Sequence, residues 1–285
     1  MPSFLAPHRL TRLPLLIAIT AAIVGASLSI HVVMLQVLGI PYPDTSKLGV
    51  WLRLYPLVQA VGLVGLAAVT APAMRQFPLL VRWLLLTLLF TAMNGGVRNA
   101  LMAGVVTEGY VAPLAGLIQG LAGNLVLAAL ALVVVALVRN IALRIVTGAA
   151  IGWAVLTQVS PILGAALAPL TGWMAAQARP EVHLPPYGPD VLVPSYVLFA
   201  ETVIACLIAR FAATFRDAAW DPRGLIRYVL LVLSVRGTIV MMGVWSPMIG
   251  PNPAAGMLSM SQFFLQDLAL AVLVQLAFTR LSARH

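Results

Sequence analysis

Along this chain, long apolar runs are separated by short clusters of Pro, Gly and charge. The runs fall near residues 13–38, 48–69, 79–104, 110–138, 145–170, 194–215, 224–248 and 262–281. About 20 residues at about 1.5 Å rise cross a hydrocarbon core of about 30 Å, so the pattern predicts about eight transmembrane helices. The breaks are GIPYPDTSK, APAMRQFP, TEGY, RNIALR, ARPEVHLPPYGPDVLVP, FRDAAWDPRG and IGPNPAAG; RNIALR is the weakest of them. The first run extends over 13–39, too long for the apolar core of a signal peptide, and is expected to be a retained span. The expected fold class is all-α: one polytopic membrane helix bundle occupying 1–285.

Composition agrees with the pattern. The chain is 61% hydrophobic and 9% charged, whereas soluble domains carry about a quarter charged residues. A soluble domain of any size is therefore excluded. A net charge of +9 would suggest nucleic acid in a soluble protein; here its placement points to topology, and no nucleic-acid partner is expected. Arg9, Arg12, Arg75, Arg82, Arg139, Arg144, Arg210, Arg216, Arg223, Arg227, Arg280 and Arg284 fall at one set of span ends, against Lys47 and Arg179 at the other. Basic loops stay in the cytoplasm. The expectation is a multi-pass protein of the plasma (inner) membrane with both termini cytoplasmic, and the 171–193 connection outside. Trp173, Trp245 and Tyr42 are expected in an outer aromatic belt.

Two stretches resemble each other across the halves: VRNALMAGV from Val97 and VRGTIVMMGV from Val235, which align Arg98 with Arg236. IQGLA from Ile118 pairs similarly with LQDLA from Leu265, and ITAAIVGASL faintly echoes VTGAAIGWAVL. The separation grows along the chain, as longer loops in the second half would make it. This points to a 4+4 parallel duplication with half-repeats 13–138 and 145–281.

Intramembrane polarity is one-sided. Counting inward from the outer breaks puts Arg98, Arg236 and His31 about 15 Å deep, with Arg53, Glu201 and Asp267 about 9–10 Å deep. Gln59, Asn94, Gln119 and Gln158 share this half, and the opposite halves hold almost nothing polar. Ions in hydrocarbon are costly and turn toward the bundle interior, a cavity or a partner. Packing alone accounts for Glu201 and Asp267 if each pairs with an arginine. The surplus guanidinium, a planar fork suited to carboxylate or phosphate, then receives an anion. Asn94 lies four residues before Arg98, on the same face of an unbroken helix, and Gly95–Gly96 permits a kink. NGGVRN is therefore the first candidate binding element, and the ligand-binding candidates are Arg98, Asn94, Arg236, Arg53, Glu201, Asp267 and His31.

No catalytic set, cofactor motif or metal constellation is expected. His31 is the only histidine within a span, with Ser27 as its expected hydrogen-bond partner, and His183 stands in an outer loop. Cys206 is the single cysteine, so no disulfide forms within the chain. The leading expectation is a transporter or ligand-binding protein for an anionic or zwitterionic small molecule, taken from the outer face. The alternatives are a non-enzymatic sensor or scaffold subunit bound to a membrane protein partner, and an enzyme acting on a lipid-linked substrate. An enzyme is the less favoured class. Membrane lipids are expected partners, and a lipid head group is a second candidate for the anion.

Overall fold

The computed structural model describes residues 13–213 and 222–282, and among these all regular structure is helical. The helices are α1 (Leu13–Gln36), α2 (Leu54–Met74), α3 (Leu79–Met93), α4 (Gly96–Thr107), α5 (Val111–Leu137), α6 (Ile141–Ala154), α7 (Ser160–Ala175), α8 (Pro189–Ala212), α9 (Pro222–Val235), α10 (Thr238–Val240) and α11 (Pro253–Ser282). A single π-turn, Val155–Val159, joins α6 to α7 as one long rod. Six helices or rods are long and apolar enough to cross a membrane, and there are eight if the bent pairs α3–α4 and α9–α10 each count as one span.

The surface fits hydrocarbon. Leu137, Ile141, Leu79 and Ile162 are each more than two-thirds exposed, an apolar exterior that would be a liability in water. Inside, α2 is the central post, packed on α6, α9 and α5, while α11 lies along α1 and α8 touches α1, α3 and α4. Leu28, Leu63, Leu66, Leu86, Met93, Phe199, Val203, Tyr228 and Leu270 form one continuous core. Gly62 of α2 has no room for a side chain, because a Cβ there would lie 2.5 Å from the Val235 amide nitrogen.

Several helix ends differ from expectation, each for a local reason. The last helix begins nine residues early, at Pro253, where the Asn252 side chain accepts from the Ala255 amide and caps it. The second begins late as an α-helix: Thr45–Arg53 is a 3-10 segment interrupted at Gly49 (φ 50°), so Arg53 sits at the entrance to α2, inside the apolar stretch Thr45–Met74 that is long enough to cross a membrane. The RNIALR break is a three-residue turn closed by Asn140, whose side chain accepts from the Ala142 and Leu143 amides. The Trp245 ring is buried against Tyr55 and its Nε1 donates to the Trp51 carbonyl, so it is a core residue and no part of an aromatic belt. Trp173 and Tyr42 are exposed.

One polar element of the arginine-rich half escaped the sequence pattern. Arg210 is fully buried, its Nε 2.5 Å from Gln275 Oε1 and its guanidinium 3.6 Å above the Phe278 ring. It is therefore an interior residue and not one of the surface arginines. Arg9, Arg12, Arg216 and Arg284 lie outside the described residues.

Candidate functional site

Two broken helices meet at the centre of the bundle. At the first break, Asn94 leaves α3 and Gly95 adopts φ +65°, turning the chain by 43° into α4. At the second, Gly237 adopts φ +70° and the chain turns by 87°. Glycine reaches this left-handed region without the steric cost that other residues meet. Gly237 is further constrained by the Tyr55 ring, which occupies the space a Cβ would need. The expectation that Asn94 and Arg98 share one helix face fails here, because the left-handed residue lies between them. Asn94 turns back, donating to the Phe90 carbonyl at 3.0 Å and accepting from Gln59 Nε2 at 2.7 Å.

A broken helix exposes four N–H groups at one new end and four C=O groups at the other. Charged side chains from other helices meet those ends with the sign that the backbone dipoles favour. Arg236 Nη1 donates to the carbonyl of Met93, the last residue of α3, at 2.6 Å. Glu201, on α8, accepts from the Val97 and Arg98 amides of the α4 N-terminus at 3.3 and 2.6 Å. Arg236 is in turn paired with Asp267 of α11, Nε to Oδ1 at 2.6 Å, with the aspartate side chain 1% exposed. That contact is one of proximity, since neither atom has an aligned hydrogen bond.

These partners reach one another because Asp267 and Glu201 lie deeper than expected. Counted from Pro253 and Pro189, they are about 21 and 18 Å along their helices at about 1.5 Å per residue. The charged layer is thus close to the bundle's middle.

Arg98 is treated differently. Its guanidinium stacks 4.7 Å over the Phe199 ring, its Nε is buried without a hydrogen bond, and no carboxylate among the described residues is within ion-pair reach of it. Asp267 and Arg236 both lie close enough to act on it electrostatically, as do Glu201 and Tyr42. Asp267 Oδ2 is likewise buried without a hydrogen bond. One buried donor, on Arg98, and one buried acceptor, on Asp267, are therefore left without a hydrogen bond.

His31 and Tyr42 lie on the proline-rich side of Arg98 and within reach of its charge. The His31 Nε2 is 3.3 Å from the Tyr42 hydroxyl, and its ring packs 4.9 Å from Phe263. Ser27, its expected partner, instead donates to the Ile23 carbonyl at 2.6 Å. Although Tyr42 as a whole is half exposed, desolvation of its phenol against neighbouring side chains pushes it up to about 12, with Tyr187 adding to the effect. It remains a neutral hydroxyl at ordinary pH.

The structure thus gathers Arg98, Arg236, Asp267, Glu201 and Asn94 around the two breaks, with His31 beside them. It leaves Arg53 apart, exposed and 5.9 Å over the Trp153 ring. Sequence reasoning missed Tyr55, Phe199 and Phe263, which are ordinary aromatics in apolar runs, and nothing in their spacing marks them. No group of three or more His, Cys, Asp or Glu among the described residues is placed to hold a metal ion. No protein family, curated protein or solved structure matches this chain.

Proposed function

We propose that the chain is a membrane transporter or ligand-binding membrane protein for an anionic or zwitterionic small molecule, with Arg98 as its anion-receiving residue. One observation carries the reading: both intramembrane carboxylates are in direct contact elsewhere, Asp267 with Arg236 and Glu201 with the backbone at Val97 and Arg98, which leaves Arg98 without a contact ion pair among the described residues. A guanidinium at this depth is too costly to leave unused. Asp267 Oδ2, buried without a hydrogen bond and on a residue close enough to act on Arg98 electrostatically, favours a ligand with an anionic oxygen for Arg98 and a hydrogen-bond donor for the aspartate. Asn94, Arg236 and Glu201 then hold the breaks in shape, while His31 and Tyr42 flank the approach.

The breaks themselves support the reading. Discontinuous helices at corresponding places in two halves are the best sequence-level pointer to a transporter site. Here the third and seventh spans are both interrupted, after 15 residues of α3 and 14 of α9, and α3 and α9 are the segments that a 4+4 duplication pairs. With the arginine-rich ends in the cytoplasm of a plasma (inner) membrane protein, a ligand reaches Arg98 from the outer face. The alternative, a scaffold or sensor subunit, draws on the Arg236–Asp267–Met93 contact, which fastens helices through Nε and Nη1 of Arg236.

Thermal unfolding of the purified chain with a panel of carboxylates, phosphate, amines and amino acids tests the proposal. A ligand at about 100 times its Kd stabilises by about 2.7 kcal/mol, and Arg98→Lys, which keeps charge but loses the fork, weakens that response. A panel without any stabilising member, together with a membrane protein that copurifies in fixed ratio, overturns it in favour of the scaffold.

A further inference from the structure

A second feature of the molecule lies outside the polar layer. Between α1, α3 and α8 runs an apolar cavity of about 1620 Å³, open at the side of the bundle and lined by Ile17, Ala21, Gly25, Leu85, Ala200 and Ile204 among others. Its walls extend from Leu13 to Gly25 on α1 and from Tyr196 to Ala212 on α8, about 18 and 24 Å at about 1.5 Å per residue. One leaflet of hydrocarbon is about 15 Å, so the groove is as long as an acyl chain requires. Small side chains make its floor, and a side chain added at Gly25 would meet open space.

The arginine-rich end of this groove is charged. Met74, Gln76 and Phe77 line it there, and Arg75, between the first two, is exposed, its side chain making no hydrogen bond or ion pair with the described residues. Arg82 is drawn across the same corner, Nε to the Phe77 carbonyl at 2.7 Å and Nη2 to the Arg75 carbonyl at 2.8 Å. Among the described residues every carboxylate lies elsewhere: Asp44, Glu108, Glu181 and Asp190 in the opposite loops or at their edge, Glu201 and Asp267 at the breaks. A long apolar groove whose end is flanked by an exposed guanidinium complements one chemistry, that of a lipid with an anionic head group. A seam for another protein's helix would have no need of that charge.

We infer that this groove is a binding site for an anionic phospholipid of the leaflet at the arginine-rich face, with an acyl chain between α1, α3 and α8 and the phosphate against Arg75. The site is independent of the Arg98 reading and uses none of its residues. Basic pockets between membrane helices hold lipid head groups in this way.

The test reconstitutes the full chain into phosphatidylcholine vesicles containing a trace of phosphatidylglycerol or phosphatidylcholine with a photoreactive acyl chain, then maps the crosslinks. Ile162 and Leu170 on α7, exposed to plain lipid, are the internal control. Labelling concentrated on 13–25 and 196–212, and about five-fold stronger for the anionic probe, is the expected result. Arg75→Gln abolishes the preference between probes without abolishing the labelling. Gly25→Phe fills the groove where space is open, so the chain still folds, and lowers labelling by both probes. Labelling equal to that of α7, equal labelling by the two probes, or labelling unchanged in Gly25→Phe overturns the inference.

Discussion

Removing Asp267 strands Arg236, and the structure sets the size of that error. The aspartate side chain is 1% exposed and the arginine 11%, so neither ion recovers water when its partner is lost. Breaking a buried pair from one side costs about 3–5 kcal/mol, because an uncompensated charge remains. Asp267→Leu is therefore expected to destabilise by that amount. Arg236→Met should cost less, about 2–4 kcal/mol: the orphaned carboxyl escapes by taking a proton, and the Met93 carbonyl loses its donor at about 1–3 kcal/mol. The double variant has no buried ion, and only the Met93 carbonyl remains unsatisfied, again at about 1–3 kcal/mol. The two changes are thus far from additive, with a coupling of at least about 2 kcal/mol. Reversible unfolding of the four proteins in mixed micelles measures it. Additivity within about 0.5 kcal/mol would mean that the 2.6 Å contact does not exist in the folded protein, and with it would go the argument that Arg98 alone is left over.

Two further expectations concern the breaks. Glu201→Leu removes the acceptor for two amides at the α4 N-terminus and should cost about 1–3 kcal/mol, whereas Glu201→Gln, which keeps an acceptor oxygen, should cost about half as much in the same unfolding assay; equal losses would deny the capping role. Gly237→Ala should destabilise more than Gly95→Ala, because each meets about 1–2 kcal/mol of left-handed strain but only Gly237 has an aromatic ring, that of Tyr55, where the methyl must go. Equal melting temperatures for the two alanine variants would refute that.

That the chain forms long apolar helices able to cross a membrane was legible because it depends on a single property, the cost of leaving backbone and charge in hydrocarbon, which every residue of a run reports. Depth was not, because it depends on where each helix starts. The Asn252 cap and Pro253 add more than two turns to α11 that the apolar pattern does not require, and this alone carries Asp267 down to Arg236. Arg53 stays in its apolar stretch but turns outward at the entrance to α2, exposed and over the Trp153 ring. The same limit hid Arg210: a charge at a run's edge reads as a surface residue, and only the Gln275 and Phe278 side chains of another helix turn it inward.

The larger misreading concerned what the carboxylates are for. From sequence, three intramembrane arginines and two acids look like pairs to be matched. In the structure, one acid is used on backbone. A left-handed glycine in the middle of a span creates two helix ends where none existed, each with unsatisfied groups and a partial charge. Glu201 and Arg236 are recruited to those ends, and Asp267 follows Arg236. NGGVRN could reveal the kink but not its electrostatic consequence, since the groups that respond to it lie on α8, α9 and α11. Once the break is granted, the count closes on its own terms: the Met93 carbonyl takes Arg236, the Val97 and Arg98 amides take Glu201, Asp267 balances Arg236, and the remaining ion of the central cluster is Arg98. A bundle needing charge only to fasten its broken helices would be complete without it. The additional guanidinium, stacked on Phe199 with its Nε buried and without a hydrogen bond, is what a purely structural account leaves without a purpose.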